Sequence, residues 1–293
     1  MIGELSALGS AFCWALVSIL LRNLQYRINT ISLNAFRSIV AAVITLIAVV
    51  VTGKTDALGN IPPLALLCLA VSVLLGLGLG DTLFFYSIKM IGVARSLPIS
   101  NAYPIFAAII ASIINNEPIT SRFVAGTLLV MVGVLLVLMP GRALFSSKQG
   151  RGGNEKLGIL LGLGASILWA CGTNILKLGA VEVDSLVANT VRLSLAAVAL
   201  TAVGFMNRSG LQLRAYRGRQ LLGISVAGLI SAFSALAFMI SLQSIGAAKT
   251  ATLTSTAPLF GVPLSLIAGE RLSWQIVLGS AISVAGIWLV VST

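Results

Sequence analysis

NAFRSIVAAV at residues 34–43 and NTVRLSLAAV at residues 189–198 are two versions of one segment. The Asn, the Arg and the Ala-Ala-Val run fall at matching places, 155 positions apart. The register extends outward without a gap, so that Trp14 meets Trp169 and Arg22 meets Lys177. Further on the offset drifts by one or two. Gly92, Pro104, Glu117, Gly126 and Gly133 then meet Gly246, Pro258, Glu270, Gly279 and Gly286. The chain is written twice, and two hydrophobic copies in one membrane chain are the layout of a secondary transporter with its site between the halves.

Both copies are almost wholly apolar. Of the 293 residues, 58% are hydrophobic and 9% are charged, with a mean hydropathy of +1.04. Soluble domains carry about 25% charged residues. This chain cannot keep a soluble surface wet, so its solvent is the lipid bilayer, and a span needs about 20 apolar residues. Ten such stretches are expected: 5–21, 31–51, 64–88, 95–114 and 123–139 in the first copy, and 157–176, 185–205, 221–242, 250–268 and 274–291 in the second. The pattern lacks the alternation of a membrane strand. The expected fold is all-α and polytopic, with ten transmembrane helices as two five-helix repeats over 1–140 and 157–293, joined by a linker at 141–156. Five is odd, so the second copy enters the membrane inverted relative to the first. No signal peptide is expected, and Cys13, Cys68 and Cys171, at no metal-like spacing, read as packing residues.

The net charge of +11 lies beside the spans, not in one patch, which argues against a nucleic-acid partner. Loops 1–2, 3–4, 5–6, 7–8 and 9–10 share one side with thirteen Lys and Arg, and the other side has four. Basic loops stay cytoplasmic, so this count places both termini outside.

Polar side chains inside spans carry the functional expectations, because each is costly in lipid. Arg37 lies six residues into span 2, close enough to the end for its side chain to snorkel to the interface. Against that, Arg192 repeats it. Asn34 and Asn189 precede the two arginines by three residues, on the same helical face. Asn with Arg presents several donors to an anionic or carbonyl group. Asp81 is the one acid deep in a span, and Ala235 stands at its repeat position. Its carboxyl must face the protein interior or carry a proton. Two readings stay open for it: a proton or cation coupling site, or a structural partner for Arg37, Lys89 or a serine. Trp14 and Trp169 sit mid-span, away from the interfacial belt. Tyr86, Tyr103 and Asn174 add aromatic and amide candidates for a lined path. Pro104 and Pro258 are expected to bend spans 4 and 9. The glycines of Gly76-Leu77-Gly78-Leu79-Gly80 read as close helix packing.

Enzyme readings find little support. Gly78-Leu79-Gly80-Asp81 spells the GxGD of intramembrane aspartyl proteases, but that chemistry needs two carboxylates sharing a proton. No second acid lies deep in a span. Gly53-Lys54-Thr55 resembles the end of a phosphate loop, but the earlier glycine is absent, since position 48 is Ala. There is no His, and no Ser or Cys beside a base. No catalytic role, cofactor or metal is expected. A channel, the rival class, would show a ring of like charges or a carbonyl filter, and neither is visible.

Each half resembles an EamA-type domain of the drug/metabolite transporter superfamily. The features that carry the resemblance run in order, twice over: Trp14 and Trp169; the basic Arg22 and Lys177 at the end of that span; Arg37 and Arg192; Pro104 and Pro258; Glu117 and Glu270; and the glycines of the last span, Gly126 with Gly133 and Gly279 with Gly286. The resemblance covers nearly the whole chain. It implies ten helices, an inverted repeat and alternating access to a central cavity. It also implies a small-molecule substrate such as an amino acid, nucleotide-related compound or drug-like cation, often moved outward. It implies cytoplasmic termini, against the charge count. The resulting expectation is a secondary exporter of the cell membrane, a monomer or homodimer. Its site would be Trp14, Asn34, Arg37, Tyr86, Tyr103, Trp169, Asn174, Asn189 and Arg192, with Asp81 for coupling and Pro104, Pro258, Glu117 and Glu270 for kinks and gates.

Overall fold

A computed structural model describes residues 1–22, 30–91, 93–138, 155–206, 218–261 and 274–292. Every regular element among them is helical. In order they are α1 (Ile2–Arg22), α2 (Thr30–Val51), α3 (Thr55–Gly59), α4 (Pro63–Val73), a π-helix (Leu74–Gly80), α5 (Asp81–Ile91), α6 (Val93–Ser100), α7 (Tyr103–Ile114), α8 (Ser121–Leu138), α9 (Glu155–Ala180), α10 (Ser185–Met206), α11 (Arg219–Thr254) and α12 (Trp274–Val291). Seven helical segments are long and apolar enough to cross a membrane, and Ile2–Ser18 and Tyr103–Ile114 are shorter apolar helices. The protein is therefore an all-helical membrane protein. Many large apolar side chains, among them Ile47, Val51, Ile113 and Phe205, point outward, as lipid requires when every backbone group is satisfied internally.

The seven segments do not map one to one onto the ten expected spans. Expected span 3 is α4, the π-helix and α5 running on. Expected span 4 is cut into α6 and α7. The cut falls at Asn101 and Ala102, before Pro104, which stands at the second residue of α7. A proline ring clashes with the preceding turn but fits the first turn of a helix, where its missing N–H is not needed. The second copy repeats the device: α11 ends at Thr254, Ser255 and Thr256 turn, and Pro258 is the second residue of a helical stretch over 257–261. Both prolines thus start a new helix and do not merely bend a continuous one. Residues 262–268 of expected span 9 lie outside the described residues.

Expected span 8 and the start of span 9 run together as α11, broken only at Gly246 (φ 86°, ψ 174°). That left-handed backbone favours glycine. Two helices, 219–245 and 247–254, meet there.

Equivalent positions of the two copies make equivalent contacts with the opposite copy. A Cβ on Gly3 in α1 would lie 2.6 Å from Ile245 and 2.8 Å from Ser244 in α11. A Cβ on Gly158 in α9 would lie 2.5 Å from Ile91 and 3.0 Å from Met90 in α5. The first helix of each copy packs on the third span of the other. Buried hydroxyl pairs also match, with Ser87 and Ser96 2.9 Å apart and Ser241 and Thr250 2.8 Å apart. The last helices pair through glycine. A Cβ on Gly286 would come within 2.7 Å of the Gly126 carbonyl, and one on Gly279 within 2.6 Å of the Gly133 carbonyl. Contacts run backward along α12 as they run forward along α8, so these two helices cross antiparallel.

Candidate functional site

Two intramembrane polar centres lie between the helices. At the first, α1 presents Trp14 and α2 presents Arg37. The Arg37 guanidinium lies 5.1 Å from the Trp14 ring centroid, within cation–π range. Its Nη1 donates to Ser231 Oγ of α11 at 3.2 Å. Its Nε finds no acceptor, although only 9% of the residue is exposed. Asn34 is partly buried one turn before it.

The π-helix shapes the facing wall. Its wider turns end at Gly80, where the Trp169 indole of α9 rests so closely that a Cβ would meet it at 2.7 Å. From there Trp169 Nε1 donates to Asp81 Oδ1 at 3.0 Å. Phe84 lies 5.3 Å from the Trp169 ring and Tyr103 meets it edge-on at 6.4 Å. Tyr103 in turn donates its hydroxyl to the Ala251 carbonyl at 2.8 Å and lies 3.0 Å from Thr254 Oγ1. Both walls meet α11, Arg37 through Ser231 and Tyr103 through Ala251 and Thr254, and Arg37 and Asp81 act on one another electrostatically without a direct ion pair. This brings together Trp14, Arg37, Asp81, Tyr103 and Trp169. Tyr86, five residues beyond Asp81 and so on another side of α5, is half exposed.

The second centre is on α10. Asn189 is fully buried, yet neither its Nδ2 nor its Oδ1 is hydrogen-bonded. One turn on, Arg192 lies 5.9 Å from the Phe238 ring centroid, and its Nε is also without an acceptor. Ser231 and Phe238 are seven residues apart on α11, so the two arginines contact that helix roughly 10 Å apart along its axis.

Asn174 is placed as a brace within the bundle. It is fully buried, accepts from Asn115 Nδ2 at 2.6 Å and donates to the Ala107 and Ala170 carbonyls.

Glu117 ties the first copy to the second. Asn116 turns the chain through a left-handed conformation (φ 52°) after α7. The Glu117 carboxylate then accepts from Lys177 Nζ of α9 at 2.7 Å and from the backbone N–H groups of Ala247 and Ala248 at 2.7 and 3.0 Å. Those N–H groups begin the helix after the Gly246 break, where a carboxylate is electrostatically favoured. A Cβ on Gly246 would strike the carboxylate at 2.6 Å. The same end of the molecule holds Lys54 paired with Asp184, and Gln243 bound to the Val183 carbonyl at 2.8 Å and to Ser185. Glu270, the repeat counterpart of Glu117, lies outside the described residues.

Sequence reading missed the π-helix, Phe84, Ser231, Phe238 and Gln243. The run of three alternating glycines before Asp81 was the available signal for the first. The other four looked like ordinary span residues.

An apolar cavity of about 380 Å³ between α7 and α8, lined by Ile105, Ile109, Ile113, Phe123 and Leu128 among others, contains none of the polar candidates. Among the described residues no three metal-ligating side chains converge.

Two intramembrane polar centres in a doubled helical chain describe a membrane transporter. The chain belongs to the EamA-like transporter family, whose model matches residues 1–139 and 156–292. It is 23% identical over 295 residues to an uncharacterized transporter of Archaeoglobus fulgidus, across 99% of this chain and 98% of that one. It is 30% identical over 143 residues to the uncharacterized transporter YvbV of Bacillus subtilis (strain 168), across 49% and 47% of the two chains. One crystal structure, 17% identical, superposes with a TM-score of 0.80 over 98% of this chain and 95% of the other, which shows a shared fold.

Proposed function

We propose that this protein is a secondary active transporter of the cell membrane that exports a small metabolite or drug-like compound by alternating access. Its ten helices form two inverted five-helix repeats. The substrate binds between the walls that carry Trp14, Asn34, Arg37, Tyr103, Trp169, Asn189 and Arg192, near Asn174, with Tyr86 on another side of α5 and outside them. Asp81 couples the cycle to protons.

The observation that carries this reading is the exchange of equivalent contacts: Gly3 on Ser244 and Ile245, and Gly158 on Met90 and Ile91. Two copies clasped in this way have two equivalent arrangements, one for each side of the membrane. The antiparallel glycine pairing of α8 with α12 supports inversion. The helix breaks before Pro104 and Pro258 supply the discontinuous helices that carriers use at a substrate site. The Glu117 cluster is a gate. It holds one end shut through a charge pair and two backbone bonds, all of them non-covalent and so reversible. Glu270 takes the gating role at its repeat position on the strength of the sequence alone.

The test is uptake by proteoliposomes of pooled labelled amino acids, nucleosides and organic cations, with and without a pH gradient. Saturable uptake with counterflow is expected, as is gradient-driven accumulation that disappears in Asp81→Asn. Flux that neither saturates nor exchanges would make the protein a channel. Gradient-driven uptake intact in Asp81→Asn would remove Asp81 from coupling.

A further inference from the structure

The second polar centre has more hydrogen-bonding capacity than the chain uses. Asn189 is fully buried with both amide atoms unpartnered, and Arg192 one turn on has an unpartnered Nε. A buried polar group without a partner is destabilising, and a buried charge without one more so. Here an unpartnered buried amide and an unpartnered buried guanidinium Nε occur within one helical turn, about 5–6 Å apart at Cβ.

The charges differ between the two centres. Arg37 faces Asp81 as a counter-charge. Among the described residues no carboxylate pairs with Arg192: the four ion pairs, Met1 with Glu4, Lys54 with Asp184, Arg95 with Glu155 and Lys177 with Glu117, do not include it. Phe238 gives Arg192 a ring to lie against but no acceptor. The centre therefore has donors, one net positive charge and an apolar flank.

We propose that Asn189 and Arg192 form an oxyanion subsite that takes the carboxylate or phosphate group of the transported compound. This rests on the carrier reading above and names its substrate class. The Arg192 guanidinium offers a fork of N–H donors, which matches a carboxylate or phosphate in two parallel bonds. Asn189 Nδ2 adds a third donor, and its Oδ1 accepts from a hydroxyl or protonated group on the same ligand. The body of the ligand lies along α11 toward Trp14 and Arg37, roughly 10 Å away. Because Asn189 is fully enclosed, the ligand enters only when the helices part.

The experiment uses the full chain in nanodiscs and four probes with one ring and different charge: benzoate, phenyl phosphate, benzyl alcohol and benzylamine. Binding is read by the shift in unfolding temperature and by calorimetry. Benzoate or phenyl phosphate is expected to bind and stabilise, and the neutral and cationic probes are not. The preferred anion tells carboxylate from phosphate. Arg192→Gln and Asn189→Leu should each weaken the anion by about tenfold or more, since each removes at least one hydrogen bond to a charged group. Arg192→Lys should retain part of the binding, since it keeps the charge and loses the fork. Equal binding of benzyl alcohol, no binding of either anion to wild type, or full anion affinity in Arg192→Gln would each overturn the subsite. Flux in proteoliposomes separates this failure from that of the carrier. Saturable uptake of cations alone keeps the carrier and discards the subsite. Anion binding at Arg192 without any flux keeps the subsite and discards the carrier.

Discussion

At the residue scale the site depends on small groups that set where large ones rest. Gly80 lets the Trp169 indole lie against the backbone and reach Asp81. A methyl there would meet the indole at 2.7 Å and the Leu75 carbonyl at 2.9 Å. Gly80→Ala should therefore displace Trp169, shift its fluorescence and abolish pH-driven uptake while helix content by circular dichroism stays unchanged. Unaltered uptake would show that the Asp81–Trp169 bond has no part in transport. Asp184 gives a pH-dependent prediction outside the spans. Burial works to raise its carboxyl pKa, but the Lys54 bond and the N–H groups of Val187 and Leu186 outweigh it and hold it below the ordinary value. A depressed carboxylate stabilises the fold above its ordinary pKa of ~3.9 and loses that contribution as pH falls through the folded value. Asp184 also caps α10, so Asp184→Ala should cost on the order of 1 kcal/mol at neutral pH. The gap between wild type and variant should close in acid, measured as thermal unfolding from pH 7 to pH 3.

At the element scale the last helices of the two copies are held by near-contact of backbones. α8 and α12 touch at Gly126 with Gly286 and at Gly133 with Gly279. In lipid, small residues of this kind drive helix association, because the tails outside are as apolar as the side chains inside. Gly279→Leu should destabilise the pair by about 1–3 kcal/mol, as overpacking does. Gly9→Ala in α1, where a Cβ would meet nothing within 4 Å, should be harmless. Unfolding in detergent followed for both variants checks the contrast, and equal losses would contradict it. The prolines belong to this scale too. The sequence placed Pro104 and Pro258 inside spans, and the physical consequence is a fresh helix start in each copy, because the first turn accepts the ring without losing a backbone hydrogen bond.

At the scale of the molecule one end is tied by Glu117, Lys177 and the N–H groups of Ala247 and Ala248, with Gln243 beside them. Glu117→Gln removes the charge that holds Lys177 and the helix start. It should open that end and raise the rate at which a cysteine at Val183, buried in wild type, reacts with a water-soluble thiol reagent. The background for that assay lacks Cys13, Cys68 and Cys171. An unchanged rate would mean that Glu117 braces the fold and does not gate it. Orientation is a second prediction at this scale. The thirteen-to-four distribution of basic residues puts the N-terminus outside, and a membrane-impermeant label on a cysteine at residue 2 of intact cells checks it. Labelling only after permeabilisation would instead match what the family resemblance implies.

The class of the protein was legible from composition, because a chain this apolar has no stable place but the bilayer. Doubling was legible from NAFRSIVAAV and NTVRLSLAAV, because a repeat survives as matched residues at one offset. Candidate residues such as Arg37, Asp81 and Trp169 stood out because polarity is costly in lipid, and the fold links those three through electrostatics and a hydrogen bond. Only the tertiary structure decided how each is used. It gave Asn174 a full set of partners inside the bundle and left Asn189 without any. It turned Glu117 from the end of a span into a tie between the copies. It converted a glycine run into a π-helix that seats an indole. These outcomes depend on which helix lies opposite and on distances of a few ångströms, and a one-dimensional pattern of apolar and polar residues does not contain them.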